Sequence, residues 1–278
     1  MGLFARLFRR NRRDSDQNTA EPSPPENPYT EGDGHELRMS FWQHLTELRS
    51  RVVKAFIALA IGSIVGLALA GPAFEIIREP YCELVDIDDE CQLVVLGPTG
   101  GVVAYFRVAL MIGGALSVPL VTYQILMFIL PGLNRSERRV VLRSLPAVTI
   151  LFIIGAAFAW FVLMPPALGF LEGFQPTLFE PEWTASLYIN FVTALVFWMG
   201  VAFETPLVFF LLSVLGVVRA GTLVQNWRIA VVGSAIAAAF ITPTIDPVNM
   251  FLVMAPLLVL YVISIFLVMI GRRIGGHA

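Results

Sequence analysis

The sequence predicts an all-α integral membrane protein with six transmembrane helices and both termini in the cytoplasm. Three observations predict it. Of 278 residues, 56% are hydrophobic and only 14% charged, with a mean hydropathy of +0.74, whereas a soluble domain carries about 25% charged residues. Apolar runs close to the roughly 20 residues that cross a hydrocarbon core recur along the chain. Finally, 17 of the 19 basic residues fall in segments that an even number of spans places on one side, and only Arg78 and Arg107 fall on the other. Positively charged loops stay cytoplasmic, so this asymmetry sets the orientation.

Residues 1–39 read as a disordered cytoplasmic tail. Five arginines stand among Leu and Phe in Met1–Arg13, followed by a stretch rich in Pro, Glu, Asp and Asn. No apolar core of signal-peptide type follows the arginines, and the basic end suits anionic lipid. Ser40 then opens a helix, with Gln43 at capping-box spacing. The six-helix domain covers 40–271. Its first span is Val52 to Ala70, with Gly71-Pro72 as the stop. A polar loop, 72–100, leads to a second span at Val102 to Leu130, which Pro119 should kink. After Pro131-Gly132 and a basic loop, the third span runs Leu145 to Met164 and ends at Pro165-Pro166. The fourth, Ala185 to Val217, is broken near Pro206. The fifth, Trp227 to Ile241, has 15 residues, about 22 Å at 1.5 Å per residue, short enough to imply local thinning or a meeting with a partner. The sixth runs Val248 to Ile270, and 272–278 form a short cytoplasmic tail.

Net charge is −2, so nothing electrostatic supports a nucleic-acid partner. Cys82 and Cys91 lack the neighbouring ligands of a metal site, and His35, His44 and His277 all lie outside the apolar runs. No cofactor is expected. Both cysteines fall in the first outer loop, on the oxidising side, which makes them a disulfide candidate.

Four acidic residues carry the functional question, each beside an ordinary structural reading. Glu47, in His44-Leu45-Thr46-Glu47-Leu48-Arg49, can pair with Arg51 at i,i+4. Glu137, in Asn134-Arg135-Ser136-Glu137-Arg138-Arg139, has the spacing of an N3 residue behind an Asn134 cap. Asp246 before Pro247 matches an N-cap with proline at N1. Glu204 is different, because it stands well inside its apolar run, where a carboxylate costs about 2.5–3.5 kcal/mol. No cap accounts for it, although Pro206 frees a carbonyl one turn back. Gly62 and Gly66 form a GxxxG, which reads as close helix packing.

These segments together resemble the C subunit of the twin-arginine translocase (TatC). The matching residues are His44-Leu45-Thr46-Glu47-Leu48-Arg49, Pro119 with Tyr123-Gln124, Phe128, Pro131-Gly132-Leu133, Glu137-Arg138-Arg139, Phe203-Glu204-Thr205-Pro206, and Thr242-Pro243 followed by Asp246. The resemblance covers about residues 39–270. It departs at Thr244-Ile245, where many members carry a single residue or another pair, and in the acidic N-terminal extension. The cysteine pair looks like the actinobacterial branch.

The resemblance implies a non-enzymatic subunit of the cytoplasmic membrane that receives twin-arginine signal peptides of folded cargo, with export driven by the proton gradient. Glu47 and Glu137, flanked by Arg49, Arg138 and Arg139, correspond to the signal-binding region. The partners implied are TatA-like and TatB-like single-span subunits and other copies of the chain. Glu204, Gln124 and Asp246 are the polar candidates for partner contact. A proton-coupled small-solute carrier built on Glu204 is the competing reading, but internal repeats and a second midplane polar group are missing from the sequence. A membrane enzyme would need a Ser/His, paired Asp or metal cluster within the spans.

Overall fold

Helix α1, Phe41–Val85, extends for 45 residues with Pro72 and Pro80 inside it. The computed structural model describes residues 41–85, 92–129, 135–175, 177–178, 183–244 and 246–275. They belong to two units, 1–44 and 45–278. Only the opening turn of α1 is described in the first unit, and every other described element belongs to the second. The 1–39 tail and the Ser40 cap lie outside the described residues, as does the Gln43 side chain.

The stop expected at Gly71-Pro72 does not occur. A proline inside a helix costs about 3 kcal/mol, but the turns beyond it are held by tertiary contacts. Ile77 and Tyr81 are buried, the Tyr81 ring lies 5.4 Å from that of Tyr188, and the Tyr188 hydroxyl donates to the Ile77 carbonyl at 2.7 Å. Packing here outweighs the local break.

Helix α2, Gly100–Ile129, contains Pro119 without interruption. It runs antiparallel to α1 along a seam of small residues. A Cβ on Gly62 would stand 2.5 Å from the Gly113 carbonyl oxygen, one on Gly113 would meet the Ser63 backbone at 2.5 Å, and one on Gly66 would collide with the Ala109 carbonyl. Ser117 Oγ donates across the seam to the Ala58 carbonyl at 3.0 Å. Each step forward on α1 is matched by a step back on α2, so the GxxxG fixes register within the chain by letting two backbones approach.

Helix α3, Arg135–Arg143, precedes α4, Leu145–Phe158. The chain then widens into a π-turn, Ala159–Leu163, and continues as α5, Met164–Glu172. Pro165-Pro166 therefore opens α5 instead of ending the span. Their missing N–H groups leave the Phe161 and Val162 carbonyls without i+4 donors, and the wider turn stands at that point.

Helix α6, Ala185–Phe203, is the centre of the core. Thr184 caps it, accepting the Leu187 N–H at 3.4 Å, and the Ala185 N–H donates to the Val94 carbonyl at 2.8 Å. Ile189, Val192, Leu195 and Met199 are no more than 1% exposed, the i, i+3, i+4 spacing of a buried helical face. That face packs on α2 and α4. After an interruption at Glu204, α7, Thr205–Val214, packs along α10, Pro247–Ile274. Between them lie α8, Ala220–Gln225, and α9, Trp227–Ile241. The helix α10 runs four residues past its expected end, which places Arg272 and Arg273 in its last turn, where cations offset the exposed carbonyls.

Five helical segments are long and apolar enough to cross a membrane: Leu45–Cys82, Gly100–Phe128, Leu145–Glu172, Ala185–Val214 and Pro247–Ile274. At 15 residues, α9 is the shorter apolar helix that the sequence predicts.

Candidate functional site

The register set by the small-residue seam carries the Glu47–Arg51 turn of α1 to the last turns of α2. There Arg51 joins the two helices. Its guanidinium donates to Glu47 Oε1 at 3.2 Å, the i,i+4 pair expected from the sequence, and to Gln124 Oε1 at 3.4 Å. Both charged side chains are about one-fifth exposed. The second carboxylate oxygen, Glu47 Oε2, is buried and accepts no hydrogen bond among the described residues. A carboxylate with one oxygen loosely engaged and the other unpartnered keeps acceptor capacity for a guanidinium, whose planar fork suits two parallel bonds.

Of the other residues predicted for this region, Arg49 is exposed on α1, and Arg138 and Arg139 are exposed on α3. The backbone of Glu137 lies in the first turn of α3, while its side chain and Asn134 lie outside the described residues. The structure thus brings Glu47 and Gln124 to one guanidinium, that of Arg51.

Glu204 marks the break between α6 and α7, two residues before Pro206. Its N–H donates to the Val201 carbonyl at 3.1 Å, three residues back. This tighter turn stands where Pro206 has no N–H to offer the Ala202 carbonyl. The carboxyl of Glu204 faces the hydroxyl of Thr122 on α2, and its Oε1 is buried without a hydrogen bond among the described residues. Burial without full pairing is expensive for any polar group, so Glu204 is an unusual feature of the α2–α6 interface.

Asp246 separates from both clusters. Its carboxylate caps α10, accepting the Asn249 N–H at 2.7 Å and the Asn249 amide at 3.1 Å, with Pro247 in the first turn. Burial pushes the carboxyl up, but the hydrogen bonds it accepts, those from Asn249 among them, together outweigh that and hold the group below its ordinary value. The sequence grouped Gln124, Glu204 and Asp246 as intramembrane polar residues; the structure gives each a different neighbour. Cys82 takes part in a disulfide, and Cys91 lies outside the described residues.

Two residues that matter to this arrangement carried little signal. Arg51 reads as a local ion-pair partner, and nothing in the sequence shows its reach to Gln124, 73 positions away. Thr122 stands one place before the Tyr123-Gln124 pair, and a lone Thr in an apolar run is unremarkable by pattern.

A family model described as Sec-independent protein translocase protein (TatC) matches residues 43–256. The Sec-independent protein translocase protein TatC of Aquifex aeolicus is 35% identical over 237 residues, covering 84% of this chain and 97% of that protein. The protein of the same description from Koribacter versatilis is 34% identical over 228 residues, covering 82% and 84%. Among solved structures, a twin-arginine translocase receptor, TatC, superposes with a TM-score of 0.74 at 35% identity, covering 83% of this chain and all of that one.

Proposed function

The chain belongs to the TatC family of Sec-independent protein translocase proteins, and from this we propose that it is the receptor for twin-arginine signal peptides in its export system. It is a multi-pass membrane protein of protein translocation, a transport component in place of an enzyme. Glu47 and Glu137 accept the two guanidiniums of the signal, in a zone where partial loss of water strengthens charge-assisted bonds. TatA-like and TatB-like subunits and further copies of the chain are the partners, and the proton gradient drives transport. The short α9 and the α6–α7 break at Glu204 are the surfaces that suit such partners.

The observation that carries this reading is the state of Glu47, a half-engaged carboxylate with a buried, unpartnered oxygen at the mouth of the α1–α2 pair. A twin-arginine peptide should bind the reconstituted full chain, and the twin-lysine version should bind at least tenfold more weakly, since an ammonium cannot fork. Equal affinities would remove guanidinium recognition from the account.

The proposed topology has six spans in a cytoplasmic membrane, α9 included, with both termini cytoplasmic. In a background without native cysteines, single cysteines at positions 30, 137 and 275 should label only from the cytoplasm, and those at 88 and 178 only from outside. An exterior 137 would overturn both the orientation and the signal site. In the unmodified chain, Cys82, in the last turn of α1, and Cys91 then form a bond on the outer side, worth about 2–3 kcal/mol in the chain-entropy picture. Alkylation should rise after reduction; equal labelling before and after means two free thiols.

A further inference from the structure

We propose that Arg51 is a built-in competitor for the signal peptide: it occupies the Glu47 carboxylate in the resting protein and is passed to Gln124 when an incoming guanidinium takes its place. The inference rests on the reading of Glu47 as a signal acceptor and adds a residue that sets the affinity threshold.

Three features of the geometry point to it. First, the Arg51–Glu47 contact is a single-point bond at 3.2 Å, longer than the 2.7–2.9 Å usual for a charge-assisted hydrogen bond. Second, the same guanidinium already has a neutral acceptor in reach, Gln124 Oε1 at 3.4 Å. Arg51 is held between two acceptors, neither at short range, so it can give up one and keep the other. Third, Glu47 Oε2 is buried and unpartnered among the described residues, so a carboxylate that turns toward an incoming guanidinium gains a bond at this oxygen and gives up only the single contact with Arg51. The small-residue seam of Gly62, Gly66 and Gly113 keeps Gln124 beside Arg51 of α1. The acceptor to which Arg51 retreats is therefore part of the fixed helix pair.

The consequence is a threshold. A resident competitor reduces the apparent affinity of every ligand for Glu47 by the fraction of time that the carboxylate is free. It does not create the preference for arginine over lysine, which comes from the fork. It lowers both affinities together, so weakly matched signals fall below useful occupancy first.

The test measures binding of twin-arginine and twin-lysine peptides to the full chain in lipid nanodiscs. Arg51→Gln should tighten both about 3- to 10-fold and leave their ratio unchanged. Gln124→Leu removes the retreat, commits Arg51 to Glu47, and should weaken both by a similar factor. Arg51→Lys keeps the charge and a single-point contact, so its affinities should lie between wild type and Arg51→Gln; it also serves as the check should the neutral variant fold poorly. Combined with Glu47→Gln, the Arg51→Gln change should give no gain. If Glu47→Gln alone weakens binding but Arg51→Gln leaves it unchanged or weakens it further, Arg51 supports the carboxylate and the competitor is overturned. If Glu47→Gln binds like wild type, the acceptor reading itself fails, and the competitor fails with it.

Discussion

Replacing Glu47 by Gln is expected to lower the affinity for a twin-arginine peptide by about 10- to 100-fold. The substitution keeps the size of the side chain and removes one charge-assisted acceptor. Hydrogen bonds to charged groups contribute roughly 1.5–3 kcal/mol, and each 1.4 kcal/mol is a factor of ten in affinity. Glu137→Gln should cost a similar factor, by the same chemistry. Folding and insertion should survive in the Glu47 variant. Its only described ion pair is the i,i+4 contact with Arg51, and such pairs contribute a few tenths of a kcal/mol. Binding titrations against the single and double variants check this, and wild-type affinity in both singles would return the two carboxylates to ion-pair and capping roles.

At Glu204 the expected effect depends on what replaces the carboxyl. Glu204→Gln keeps a donor and an acceptor facing Thr122 and should be mild. Glu204→Leu suits the apolar span but deletes both groups, so it should impair partner docking or transport while leaving peptide binding intact. Glu204→Arg should be the most damaging, because a carboxyl can take up a proton in the membrane whereas an arginine cannot lose one. A charge at mid-span costs about 2.5–3.5 kcal/mol, enough to reduce the correctly inserted population by two orders of magnitude. Export rate and peptide affinity measured side by side give the order Gln, Leu, Arg. Wild-type export by the Leu variant would make Glu204 a tolerated polar residue of the α6–α7 break.

Which parts were legible in the sequence depends on the range of the forces that fix them. The bounds of α9, the interruption close to Pro206 and the Asp246–Pro247 start of α10 all come from local rules, in which a proline, a cap or an apolar run acts within one turn. The same rules misjudge Gly71-Pro72 and Pro165-Pro166. At the first, Tyr188 lies 111 positions from the Ile77 carbonyl to which it donates, and no local pattern records that support. At the second, the π-turn takes up the loss of two donors and the helix runs on. The GxxxG at Gly62 and Gly66 signals a close neighbour but not which one. Its partner face, Ala109, Gly113 and Ser117, has the same spacing in α2 and could have been paired with it. The link from Arg51 to Gln124 is then a result of the register, and the sequence alone carries no other sign of it. Glu204 was legible as an anomaly because charge is costly in an apolar run, while Thr122 beside it was not.

The central claim is that a twin-arginine signal docks where α1 begins and α2 ends. Photocrosslinking tests this most directly. A photoreactive residue at position 48 or 138, in the full chain in membranes, should capture a twin-arginine peptide, with capture lost when the peptide's arginines are replaced by lysine or when Glu47→Gln is introduced. A probe at position 178, in the loop between α5 and α6, should capture none. Capture at 178 that equals or exceeds capture at 48 and 138 would contradict the account.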